Sequence, residues 1–168
     1  TEYKMLDCHP TDTPMDAGTT RALMLLDTEA SDPVALKKYQ TLVGKLIWLL
    51  KTRPDLMFTI NLLSRYLQCA TNEHLTLALG RPLKYLRGTI DQGIVFQAGD
   101  KDEDWVLSGC SDADLAGDLP SSRTTTGYDM KIGRHGTLVS RCTLERKVCT
   151  STGQAETYAL LGLVKETE

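Results

Sequence analysis

The hydrophobic period of this chain changes once, at Gly88, and that change limits the fold more than any other feature. Before Gly88, apolar residues recur at helical spacing; after it they tend to alternate. In residues 35–51 the positions Leu36, Tyr39, Val43, Ile47 and Leu50 predict a first helix. It ends where Arg53 precedes Pro54, because a residue before proline is pushed out of the helical region. Pro54 then suits the first turn of a second helix, where its missing N–H costs nothing, and Asp55 complements the dipole. Leu56, Ile60, Leu63 and Leu67 form its expected buried stripe, and Trp48, Phe58 and Tyr66 also fall at buried spacing, which assigns them to the core rather than to base stacking. Thr71-Asn72-Glu73 caps a third helix as far as Arg87, with Leu75, Leu79, Leu83 and Leu86 inward and Pro82 expected to kink or split it.

Beyond Gly88, residues 93–97 and 105–111 are strand candidates. Residues 128–132 and 137–142 pair as a hairpin across Gly133-Arg134-His135-Gly136. A closing helix starts near Gly153, with Tyr158, Leu161 and Val164 or Lys165 at helical spacing. Helices, then antiparallel strands, then one helix give an α+β order. Residues 1–35, with Pro10, Pro14 and Pro33 and no sustained period, are expected to be an extended, poorly ordered leader with at most a helical turn at 21–26. The chain therefore divides into a leader (1–35), a helical region (36–92) and a sheet with one helix (93–168).

Composition narrows the function classes. With 41% hydrophobic and 24% charged residues among 168, this is an ordinary globular composition. The longest apolar window, Leu42 to Leu50, is broken by Gly44 and Lys45, so no membrane span is expected. Five cysteines form no C-x-x-C pair, and His9, His74 and His135 are scattered. Reduced thiols in an intracellular protein, cytoplasmic or nuclear, are the expectation, and zinc is not. Charge is segregated: residues 36–88 hold nine Lys/Arg against two Asp/Glu, and residues 99–168 hold eight against twelve. A basic helical part beside an acidic part suits a nucleic-acid track leading to a metal site. Solvation of amphipathic helices is the plainer explanation of the same charges. The track's candidates are Lys45, Lys51, Arg53, Arg65, Lys84 and Arg87, with Lys37, Lys38 and Arg81 beside them.

Several runs carry a resemblance. The segment from Tyr39-Gln40-Thr41-Leu42-Val43-Gly44-Lys45-Leu46-Ile47-Trp48, then Thr52-Arg53-Pro54-Asp55, Leu63-Ser64-Arg65-Tyr66 and Lys84-Tyr85-Leu86-Arg87-Gly88-Thr89, resembles the connection region of copia-type retrotransposon polyproteins. Ser111-Asp112-Ala113-Asp114, Gly117-Asp118, Ser122-Arg123-Thr124-Thr125-Thr126-Gly127-Tyr128 and the run from Ser151 to Leu160 resemble the start of that family's ribonuclease H domain. Cys8-His9-Pro10 with Thr13-Pro14-Met15 resembles the segment after the polymerase palm. The chain departs from the family at Leu115, where a bulky aromatic is usual, at Gln154, usually acidic, and near Arg141, usually tryptophan.

The resemblance implies a truncated ribonuclease-H-like antiparallel sheet with one helix at 93–168, preceded by a helical connection region. It implies that Asp112 is the first catalytic aspartate and Glu156 the glutamate of the first helix, both magnesium ligands; Asp114, on the face of Asp112 if the strand persists, and Asp118 in the turn could substitute as ligands, with solvated turn acids the plainer reading. Such a site cleaves the RNA of RNA–DNA hybrids with two magnesium ions about 3.5–4 Å apart. The family's other carboxylates are expected beyond Glu168 and its polymerase aspartates before Thr1, so a fragment with neither complete centre is the expectation. Three readings stay open: an inactive piece of Pol that works with the rest of the polyprotein, a residual magnesium-dependent nuclease, and a nucleic-acid-binding module. Such a sheet is expected either to associate with another chain through its exposed edge or to have its bare face covered by the N-terminal helices.

Overall fold

The computed structural model describes residues 7–28, 32–96, 106–133 and 136–167. The chain is α+β and divides into two units, residues 1–92 and 93–168.

The first unit is helical: α1 (Ala17–Met24), α2 (Pro33–Leu49), a 3₁₀ turn (Pro54–Leu56) running into α3 (Met57–Ser64), α4 (Asn72–Leu79) and α5 (Arg81–Gly88). Where a single helical turn at 21–26 was the expectation, residues 17–24 form a helix of two turns. Asp16 caps α1 by accepting from the Thr19 N–H at 2.6 Å, and Leu23 and Met24 are buried. Arg81 ties the same stretch to the start of α5, bonding Asp16 at 2.7 Å and Thr13 through its carbonyl and hydroxyl. In α2, Asp32 caps and Pro33 takes the first turn.

The buried stripe of α2 is Ala35, Tyr39, Leu42, Val43 and Leu46, rotated from the expected one so that Ile47 lies outside. Leu42, Val43, Leu46 and Ile47 are all apolar, so sequence offers two adjacent stripes, and packing against the Leu62–Leu63 pair selects the first. Trp48 is 70% exposed and Phe58 41% exposed; both were expected in the core, where only Tyr66 belongs. The Tyr39 hydroxyl donates to the Leu63 carbonyl at 2.7 Å, and the Gln40 amide donates to the Leu67 carbonyl at 2.8 Å. These bonds fasten α2 to the last turn of α3 and to the turn that follows it, where the Leu63 carbonyl also accepts from the Tyr66 N–H at 3.2 Å. Pro82 does split the third expected helix: Gly80 leaves the helical conformation and Pro82 opens α5.

Two polar devices sit inside this unit. Arg53, 5% exposed, forks onto Asp55 at 3.0 and 2.7 Å and reaches the Thr89 carbonyl and hydroxyl at 2.8 and 2.7 Å. Its guanidinium lies 5.5 Å from the centre of the Tyr85 ring, and the Tyr85 hydroxyl donates to Asp55 at 2.8 Å. The Arg-Pro-Asp triplet thereby fastens the start of α3 to the end of α5. His74, fully buried, accepts at Nδ1 from the Thr71 N–H at 3.2 Å and lies 2.9 Å from the Thr71 hydroxyl. Its ring packs 4.6 Å from Tyr66.

The second unit holds one antiparallel sheet of β1 (Leu107–Asp114), β2 (Thr125–Ile132) and β3 (Gly136–Leu144), in that order, and then α6 (Thr152–Lys165). Residues 93–96, part of an expected strand, are irregular, and Gln97 and Trp105 lie outside the described residues. Phe96 instead lies where a Gly136 side chain would stand. The helix α6 rests on one face of the sheet: a Cβ at Gly109 would come within 2.7 Å of Leu163, and one at Gly162 within 2.9 Å of Tyr128. Ser151 caps α6 through the Gln154 N–H, and the Gln154 side chain returns to the Thr150 N–H at 2.8 Å.

Two outcomes follow for the helical unit. Arg53→Met strands Asp55 and the Thr89 carbonyl and is expected to cost about 2 kcal/mol, measured by urea denaturation. Burial holds the His74 imidazole below its ordinary value of 6.5, with Glu73 opposing. The unfolded chain therefore takes up a proton that the folded chain resists, so stability is complete above about pH 6.5 and is lost as pH falls from there toward the depressed folded value. The urea midpoint is expected to fall between pH 7 and 5 by less in His74→Gln than in the wild type.

Candidate functional site

The acidic residues of the motif run lie on β1 and the turn after it, and alternation along the strand decides where each points. Gly109 faces α6, and Ser111 is paired with Tyr128, which also faces α6. Asp112 and Asp114 are therefore on the opposite face, both exposed. Asp112 stands across from Gly127. Asp114 ends the strand, and its carboxylate occupies the space that a side chain on Gly117 would need. The turn is tight enough to hold Ala116 in the left-handed region, at φ 56°.

Asp118 is not a solvated turn acid. It is 4% exposed, and its carboxylate accepts from the Ser121 N–H at 3.2 Å and from the Ser121 hydroxyl. Its own carbonyl accepts from Ser122 N–H at 2.7 Å, and Arg123 donates to the Ser121 hydroxyl at 2.9 Å. Asp118 thus organises the loop between β1 and β2. Thr126, next along β2, donates to Glu145 at 2.8 Å.

Glu156 is exposed on the second turn of α6, beside buried Ala155. It rises from the helix that covers the face Asp112 turns away from. Among the described residues, no three His, Cys, Asp or Glu side chains form a group fit to hold a metal ion. Asp112, Asp114 and Glu156 consequently do not assemble the donor set that a two-ion centre demands.

The basic candidates divide differently. Arg53 is buried and committed to Asp55 and Thr89. Arg65, half-buried, donates to Asn61 at 3.0 Å, and Lys84 is half-buried as well. Lys51 and Arg87 are exposed. Along the outer side of α2, Lys37, Lys38, Thr41, Lys45 and Trp48 are all exposed, and nothing lies within 4 Å of where a Gly44 side chain would stand. Trp48 follows Lys45 by three residues and Gly44 by four, which places all three on one helix face. That spacing was the sequence signal for an exposed aromatic, and the apolar Ile47 beside it masked it.

Comparison with known proteins locates this arrangement. The chain is 39% identical over 131 residues to the retrovirus-related Pol polyprotein from transposon RE2 of Arabidopsis thaliana, a match covering 78% of this chain and 8% of that protein. It is 29% identical over 167 residues to the corresponding polyprotein from transposon TNT 1-94 of Nicotiana tabacum, covering 98% of this chain and 12% of the relative. Over 131 residues it is also 37% identical to the secreted RxLR effector protein 161 of Plasmopara viticola, covering 76% of this chain and 87% of the effector. The chain thus spans only a small part of the polyproteins and most of the effector. No family model matches it, and no solved structure does. No described helix is long and apolar enough to cross a membrane.

The placement of the acids separates their roles. Asp118→Ala is expected to destabilise the β1–β2 loop by about 2 kcal/mol, read as faster amide exchange across residues 118–124. Asp114→Ala, at an exposed position, is expected to change stability by no more than about 0.5 kcal/mol.

Proposed function

Because the chain belongs to the family of copia-type retrotransposon Pol polyproteins, we propose that it is a piece of Pol that holds nucleic acid and has no catalytic activity by itself. In this reading residues 36–92 are the connection region of the reverse transcriptase, and residues 93–168 are the opening part of a ribonuclease-H-like domain. The parent polyprotein would supply RNA-directed DNA synthesis and the cleavage of RNA in RNA–DNA hybrids, inside the cell.

One observation carries the reading: Trp48, 70% exposed, stands on the same side of α2 as Lys37, Lys38 and Lys45. Leaving a tryptophan in water is costly, and an aromatic among lysines is what a nucleic-acid strand uses, since bases stack on the ring while phosphates meet the ammonium groups. Arg53 is left out of this surface because its donors are already used. Lys51, Arg65, Lys84 and Arg87 remain candidates for contacts away from α2.

Magnesium fits poorly. Asp112 and Glu156 are the inherited candidates, with Asp114 as a substitute ligand, yet both aspartates lie on the sheet face opposite the helix that carries Glu156. Magnesium bound by one or two carboxylates depends on substrate phosphates for its other ligands. No metal-assisted step follows from these residues alone. A second reading, that the chain serves as a self-standing protein outside Pol, is favoured by the match that covers 87% of the effector protein.

Binding is tested with single-stranded DNA and with RNA–DNA hybrid, on a Trp105→Phe background so that Trp48 alone reports. Quenching of Trp48 is expected, and Trp48→Ala is expected to weaken binding by about 1–3 kcal/mol. Lys45→Ala is expected to reduce the slope of log affinity against log salt by about one. No cleavage of the hybrid is expected with magnesium or manganese; cleavage abolished by Asp112→Asn overturns the inactive assignment.

A further inference from the structure

The helix α4 is anchored by an ionisable side chain. Of its eight residues, His74 and Ala78 are the buried ones, so the larger of its two anchors can take up a proton. The imidazole lies among aromatic neighbours, 4.6 Å from the Tyr66 ring and 6.4 Å from the Tyr39 ring, which it meets edge-on. Its Nε2 is buried with no hydrogen-bond partner among the described residues. Its Nδ1 closes a capping box: it accepts from the Thr71 N–H, while the Thr71 side chain accepts from the His74 N–H.

A proton reverses the role of Nδ1. The lone pair that received the Thr71 N–H becomes an N–H itself, and two donors then face each other. The Thr71 hydroxyl, 2.9 Å from Nδ1, can accept the new N–H, but the Thr71 N–H is left without its partner. The added charge also sits at the positive end of the helix dipole, away from water. Burial accordingly holds the imidazole below its ordinary value, and Glu73, beside it on α4, acts the other way. Among the described residues no charge on α1, α2 or α5, the other helices packed against α4, shifts it. Tyr39 from α2 and Tyr66 from the turn after α3 face the ring, and phenols stay neutral throughout the range in which an imidazole titrates.

A helix of two turns is marginal without its cap and its anchor. The contact between α2 and α3 has its own bonds, from the Tyr39 hydroxyl to the Leu63 carbonyl and from Gln40 to the Leu67 carbonyl, and these leave the imidazole out.

We propose that His74 is a proton-operated catch: neutral, it fastens the first turn of α4 beside Tyr39 and Tyr66; protonated, it leaves them and frees that turn while α2 and α3 stay packed. The opening is local and comes before the general loss of stability at low pH. It is independent of nucleic-acid binding by α2.

Hydrogen exchange of the full chain, followed by NMR at about pH 7.5 and about pH 5, tests this. Protection factors, which remove the intrinsic pH dependence of exchange, are expected to fall about tenfold at the Thr71, His74 and Leu75 amides, the scale of a lost cap. Those of Val43 and Leu46 in α2 are expected to stay unchanged. His74→Gln keeps an acceptor for the Thr71 N–H and cannot take the proton, so protection at the same three amides is expected to be equal at both pH values. In the wild type, the nitrogen shifts of the His74 ring are expected to show the Nε2–H tautomer at the higher pH and protonation in step with the loss of protection. Unchanged protection at residues 71–75, an equal fall at Val43, the same fall in His74→Gln, or ring protonation out of step with exchange overturns the proposal.

Discussion

A guanidinium taken out of water must find an acceptor for nearly every N–H, and the helical unit is arranged around that demand. Arg53 sits between two elements that sequence separates widely, and it is satisfied only when the start of α3 and the end of α5 lie side by side. Removing one partner of a buried charge costs far more than the pair contributes net, so the arrangement specifies geometry more than it adds stability. Tyr85 serves twice, as a ring beside the cation and as a donor to its carboxylate. The Tyr39 and Gln40 bonds to the end of α3 complete the frame from the other side. This frame leaves the outer side of α2 exposed.

The sequence makes some of this legible and hides the rest for physical reasons. The change from helical to alternating period locates the switch from α2–α5 to the sheet, because each period is imposed by backbone geometry alone. Pro82 announces the split between α4 and α5 because its chemistry is local. The hairpin of β2 and β3 is announced by the glycines at 133 and 136. The phase of α2 is not legible: four apolar residues in a row of six leave two candidate faces, and only tertiary packing chooses. Hence Trp48 moved outward, while Phe58, on α3, lies beside that helix's buried set of Thr59, Ile60, Leu62 and Leu63. The helix at 17–24 was hidden too, since its capping Asp16 pairs with Arg81, a residue far along the chain. Asp112 and Glu156 were legible as motif residues, but not their separation across the sheet, which depends on the parity of a strand.

Family membership and local chemistry point in compatible directions here. Sequence similarity ties the chain to retrotransposon Pol polyproteins, while Asp112, Asp114 and Glu156 form no group fit to hold a metal ion and Asp118 holds a loop together. The basic and aromatic features of α2 do not depend on those acids.

Gly109 illustrates how little tolerance a well-packed contact leaves. Its bare Cα lets Leu163 descend to a depth that any β-carbon forbids, and this sets the clearance between helix and strand. A single added methyl at this point would oblige the Leu163 side chain, or the turn of helix that carries it, to give way.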